Sequence, residues 1–178
     1  YNSDESSNLN YEQTMLLNKT YDSFVRHGAN LGNSEKDIYR SLTSKLTTLT
    51  LKFSQNILKE TNNFQLVIDN DDDLQGLPEY SIKAAKELAE KKGKTDSWIF
   101  TLHAPSMVPF LKYCNKRELR ETIYKSYNTI CTHDNEYNNL TIVKDIVNTR
   151  FEIAKVLGYE SFADYVLKNR MAKSCEEV

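Results

Sequence analysis

Between Ser34 and Glu60 one apolar stripe, Ile38, Leu42, Leu46, Leu49, Phe53 and Ile57, advances by 4, 4, 3, 4 and 4 residues, with no glycine or proline to interrupt it. That period is helical, and at 1.5 Å per residue the helix is on the order of 40 Å long. Leu51 and Leu58 widen the stripe, and Glu35 and Asp37 stand in the first turn after Ser34, where negative charge favours the helix dipole. A rod of this length with a continuous apolar face needs packing partners along it, so the chain is expected to fold as a helical bundle.

The rest of the sequence agrees with that class. Leu17, Tyr21, Phe24 and Val25 keep helical spacing up to a stop at Gly28. Pro78 suits a first helical position, and an alanine-rich helix runs from about Glu79 to Lys92 before Gly93. Asn115 with Glu118 reads as an N-cap and its reciprocal partner, and Leu119, Ile123, Tyr127 and Ile130 follow on one face. From Leu140 to Leu157 apolar residues nearly encircle the axis, the pattern of a helix central to a bundle. Arg150 lies inside this run, where burial alone would be costly, so a carboxylate or carbonyl partner is expected. Ser161 and Asp164 open a last helix, with Phe162, Tyr165 and Val166 facing inward.

Two short segments break the helical period. Phe64, Leu66 and Ile68 alternate with Gln65, Val67 and Asp69, and Trp98, Phe100 and Leu102 alternate later. Both read as strands expected to pair, with direction left open. Pro105 and Pro109 bracket an irregular or short helical stretch. The fold class is therefore mostly α, a helical bundle with a short two-stranded β element. No Gly/Ser/Pro-rich linker divides the 178 residues, so 1–178 is expected to form a single helical unit, with 1–15 a leader or loop.

Chemistry is hard to find in these residues. The histidines His27, His103 and His133 are 76 and 30 residues apart, so no pair shares a helix face as zinc ligands at i and i+4 do. His133 and Glu136 have an i, i+3 spacing but fall in an Asn-rich loop. Asp69, Asp71 and Asp73 imitate the start of a calcium loop, yet Leu74 takes the place of its glycine and Tyr80 the place of its bidentate glutamate. No Gly-x-Ser-x-Gly elbow or phosphate loop is present. Cys114, Cys131 and Cys175 form no CxxC pair and read as isolated thiols in a reducing compartment or as buried small residues. A net charge of −2 gives no footprint for nucleic acid, and no apolar run is long enough for a membrane span. No catalytic residue, cofactor-binding residue or metal ligand is assigned.

A series of landmarks nevertheless appears in order: Lys19-Thr-Tyr-Asp-Ser-Phe-Val-Arg26 running into His27-Gly-Ala-Asn-Leu31, then Gly76-Leu-Pro-Glu79, Phe100-Thr-Leu-His-Ala-Pro105, Arg117-Glu-Leu-Arg-Glu121, Ala154-Lys-Val-Leu-Gly-Tyr159 and Arg170-Met-Ala-Lys173. From about Leu16 to Val178 the chain resembles the helical front part of the thimet-oligopeptidase-like zinc metallopeptidases, and Lys19 to Leu31 leans towards their bacterial peptidyl-dipeptidase (dipeptidyl carboxypeptidase) branch. The resemblance implies an almost entirely helical fold split by a deep channel that admits short unfolded peptides. It also implies a zinc held by a His-Glu-x-x-His helix, a motif this sequence lacks. By that likeness the chain is one segment of a larger all-helical metallopeptidase, inactive by itself. Its partners are short peptides and a C-terminal catalytic part, and the zinc belongs to the full-length enzyme. Phe100, Leu102 and His103 become candidate channel-lining residues. The alternative is a free-standing helical scaffold or binding module.

Overall fold

A computed structural model describes residues 9–178. Among these residues the fold is mostly helical, with seven α-helices and one two-stranded antiparallel sheet. They cluster into two compact units, one of the described residues through Thr50 together with Lys144–Val178, the other of Leu51–Val143.

In the first unit, α1 (Tyr11–Arg26) starts at a complete capping box, in which Asn10 accepts from the Gln13 amide and Gln13 reaches back to the Asn10 amide. Residues 11–15, expected as leader or loop, are therefore helical, because polar Asn10 and Gln13 satisfy two otherwise orphaned donors. Residues 1–8 lie outside the described residues. The turn after α1 passes through Gly28 at φ +85°. α2 (Asn33–Asn63), whose residues through Thr50 belong to this unit and the rest to the second, opens one residue earlier than Ser34, with the Glu35 side chain closing back on the Gly32 amide at 2.9 Å. Its stripe is only half covered: Leu42, Leu46, Leu49, Phe53 and Ile57 are partly buried, while Ile38, Leu51 and Leu58 are exposed.

α6 (Leu140–Val156) departs from its expected central place. Ile142, Ile146, Thr149, Ile153 and Ala154 are buried, whereas Leu140, Val143, Val147 and Phe151 keep about half their surface in solvent. Arg150 falls on the solvent side too. It needs no carboxylate there, and its guanidinium lies 5.4 Å from the Phe162 ring. The short α7 (Phe162–Leu167) is capped by Ser161, whose hydroxyl accepts from the Asp164 amide at 3.1 Å.

The second unit holds the main hydrophobic core. β1 (Leu66–Ile68) pairs antiparallel with β2 (Trp98–Phe100) in the register Leu66↔Phe100, Val67↔Ile99, Ile68↔Trp98. Between them runs α3 (Glu79–Lys91). Pro78 stands one position earlier than expected, as the N-cap with extended backbone, and Glu79 is the first helical residue. Asp71–Leu74 forms a 3-10 turn in which Asp73 pairs with Lys116 at 2.5 Å.

α4 (Ala104–Tyr113) is regular despite Pro105 and Pro109. Pro105 occupies the first turn, where a missing N–H removes nothing, and Pro109 forfeits a single bond to the Pro105 carbonyl. α5 (Arg117–Asn128) has Lys116 as N-cap without a side-chain bond, so the expected Asn115–Glu118 box is absent. Instead the Asn115 amide donates to Gln75 O at 2.9 Å, which draws it into the preceding loop. Phe100 and Phe110, both fully buried, meet edge to face with ring centroids 4.6 Å apart. Ile68, Leu74, Leu77, Met107 and Ile123 pack around them.

Candidate functional site

A polar-edged groove of the second unit opens where β2 runs into α4, beside α3, with a volume of about 500 Å³. Ile99 of β2 lines it together with Thr101 and His103 of the bend that follows, and α3 contributes Ser81 and Leu88 to the wall, with Lys92 at its C-cap. His103 is the N-cap residue of α4 and is exposed. Its Nε2 is 3.1 Å from Asn62 Oδ1 and its Nδ1 is 3.2 Å from Thr101 Oγ1. A carboxamide oxygen only accepts, so Nε2 carries a proton, and Nδ1 pairs with the threonine hydroxyl, which can donate or accept. Both ring nitrogens are thereby engaged, and the imidazole is held as a wall element with no lone pair turned outward.

The three candidate channel residues part company here. His103 lines this groove, while Leu102, itself buried, edges a second one of about 320 Å³. Phe100 has no exposed surface and belongs to the core. β2 ends at Phe100, and the bend at 101–103 before α4 brings Thr101 and His103 to the first groove and Leu102 to the second. Asn62 and Lys92 gave no sequence signal for the first groove. They lie at the ends of α2 and α3, and only the tertiary fold brings them beside His103.

The second groove gathers Glu60, His133, Asn135 and Tyr137. Glu60 accepts hydrogen bonds from the Cys131 amide and, at 3.2 Å, from Asn135 Nδ2. Burial pushes its carboxyl up, but hydrogen bonds from Cys131 and Asn135 and the nearby His133 outweigh this and hold it below its ordinary value. The Cys131 thiol is pushed up to about 12 by burial and by the adjacent Glu60. Hydrogen bonding to Glu136, with burial, raises the Tyr137 hydroxyl. A thiol held this firmly protonated is a poor nucleophile.

The residues present do not fit a catalytic zinc. His27 Nδ1 donates to Ser23 O at 2.6 Å, His103 is engaged on both nitrogens, and His133 Nε2 lies 3.3 Å from Thr129 Oγ1. Among the described residues no group of three or more His, Cys, Asp or Glu side chains converges to hold a metal ion, and zinc needs three protein ligands. No helix among them is long and apolar enough to cross a membrane.

Residues 110–178 match the model of Peptidase family M3. The chain is 30% identical to oligopeptidase A of Haemophilus influenzae over 99% of its own length, which is 26% of that protein. It is 28% identical to dipeptidyl carboxypeptidase of Escherichia coli over 97% of its length and 25% of that protein. A thimet-like oligopeptidase of Dictyostelium discoideum is 25% identical over 98% of the chain and 24% of its own length. The chain thus spans about a quarter of the length of these relatives. The matches show similarity to peptidase family M3, the thimet- and oligopeptidase A-like group, and they single out neither the oligopeptidase A nor the dipeptidyl carboxypeptidase branch.

Proposed function

We propose that this chain is a channel-forming helical segment of a zinc-dependent peptidase that acts on short peptides and releases C-terminal dipeptides. The observation that carries the reading is similarity along nearly the whole chain to peptidases about four times its length. Release of dipeptides rests on the similarity to dipeptidyl carboxypeptidase together with the Lys19–Leu31 landmark. Leu140, Val143, Val147 and Phe151 on α6 and Tyr11, Leu16 and Phe24 on α1 support a segment role, because apolar surface so exposed is suited to burial against further polypeptide. Zinc, supplying water activation and carbonyl polarisation, would be held by residues outside this chain. The role of this chain's own residues is to shape a wall. His103, fixed by Asn62 and Thr101, borders a groove with no carboxylate in its lining.

The test places this chain within the longest reading frame its gene encodes and incubates the product with an N-blocked tetrapeptide. Mass spectrometry should find the free C-terminal dipeptide, with turnover lost to a chelator and restored by zinc. Cleavage at other bonds would move the protein to an oligopeptidase reading. No hydrolysis would favour the free-standing scaffold. The 178-residue chain alone should hydrolyse nothing. For the wall role, His103→Ala in the same protein should raise KM with little change in kcat; unchanged turnover and affinity would remove His103 from it.

A further inference from the structure

The first landmark of the sequence and the stretch around the last one, with Lys19 and Lys173 lying 154 positions apart, converge on one cavity of about 430 Å³ in the first unit. Lys19, Asp22, Ser23 and Arg26 stand at i, i+3, i+4 and i+7 on α1 and so share one face. His27 follows them, and Asn169 and Lys173 close the cavity from the other end of the chain.

The Arg26 guanidinium is fixed from two directions. It stacks 4.5 Å from the Tyr165 ring centroid, and its Nε donates to Asn169 Oδ1 at 3.2 Å once that carboxamide turns its oxygen inward. Its Nη1 is buried and has no hydrogen-bond partner. An orphaned guanidinium N–H is costly, since it forfeits water without gaining an acceptor. Neither Lys19, Arg26 nor Lys173 has a carboxylate within ion-pair distance among the described residues, although Asp22 shares the cavity lining. The Glu177 side chain is occupied by the Lys173 backbone amide at 2.8 Å. Three cations therefore face one cavity with a single carboxylate beside them, and one is rigidly oriented.

We propose that this cavity binds a small oxyanion, a phosphate or a carboxylate group. The stacked Arg26 keeps its Nη1 without an acceptor, a guanidinium donor that suits either group, and Lys19 and Lys173 close over the bound charge as mobile point charges. The site is separate from the peptidase reading and does not depend on it.

The test titrates the 178-residue chain with inorganic phosphate, and separately with acetate, at constant ionic strength, following the Arg26 Nε–H and Lys173 amide signals by nuclear magnetic resonance. Saturable shifts of both signals are expected. Lys19→Gln and Lys173→Gln, both at exposed positions, should each weaken binding by about tenfold, the loss of one charge-assisted hydrogen bond. Lys52→Gln, exposed on α2 and outside the cavity lining, should bind as the parent does. Saturation by phosphate alone identifies a phosphate site, and saturation by both identifies a general oxyanion site. Non-saturable shifts with both anions, or cavity variants that bind as tightly as the parent, would overturn the proposal.

Discussion

Asn56 Nδ2 donates to Asn139 Oδ1 at 2.9 Å across 83 residues of sequence, with the two side chains only 5% and 4% exposed. Asn139 also donates through its own carboxamide to Phe53 O at 3.1 Å and through its backbone to Cys131 O at 2.8 Å. One buried carboxamide thus ties the loop before α6 to two turns of α2. Asn139→Ala would strand the Asn56 donor away from water, and the expected loss is about 1–3 kcal/mol in urea unfolding. An Asn56→Ala, Asn139→Ala pair should lose clearly less than the sum of the single variants, because removing both partners leaves nothing unpaired. Simple additivity would show that the bond is not coupled.

Gly76 sits at φ +87°, and a Cβ built there would lie 2.2 Å from the Tyr113 carbonyl oxygen. Gly93 has φ +77° with open space around it. Both positions demand left-handed backbone, but only Gly76 also faces a wall of backbone. Gly93→Ala should cost about 1–2 kcal/mol, the ordinary left-handed penalty. Gly76→Ala should cost clearly more, because the 113–115 loop must move. Equal losses in denaturant titrations would refute the steric part of this argument.

Glu60 offers a pH test with a definite sign. Its folded carboxyl lies below the ordinary value of 4.5, so the unfolded chain binds the proton more readily. The contribution is fully present above the unfolded value and disappears as pH falls through the folded one. Melting temperatures of the parent and Glu60→Gln should differ at pH 7, with the parent higher, and converge as pH falls below 4.5 and through the lower folded value. A gap unchanged by acidification to the point of acid unfolding would rule out the charge as its cause.

The three thiols should separate by accessibility. Cys175 is exposed, whereas Cys114 and Cys131 are buried. Burial raises Cys114, and burial with Glu60 raises Cys131. A hydrogen bond to Asp164 raises Cys175 as well, so even it should alkylate slowly at pH 8. Peptide mapping should still find it modified at least about tenfold faster than the other two, which react only when the fold opens. Early labelling of Cys131 would contradict the burial described for it.

Helices and strands were legible from periodicity because side-chain spacing is a local property. The α2 stripe, the alternation at Leu66–Ile68 and Trp98–Phe100, the Ser161 cap and the Gly93 stop all depend on neighbours within a few residues. The errors came where a local pattern had two uses. Asn115 with Glu118 has the spacing of a cap, but the Asn115 amide is drawn to Gln75, a long-range partner. α6 is apolar around most of its circumference, yet one side remains open, because periodicity reports which faces can be buried and not which are covered.

The sequence by itself determined the mostly helical class, the two strands and the absence of a His-Glu-x-x-His motif, since each follows from residue type and spacing along the chain. The tertiary structure alone decided that the strands run antiparallel around α3, and that His103 meets Asn62 and Thr101 while Phe100 turns into the core. It alone also brought Lys19, Arg26 and Lys173 to one cavity. Those outcomes depend on contacts between residues tens of positions apart, whose geometry is set by how whole helix faces pack and not by any local preference.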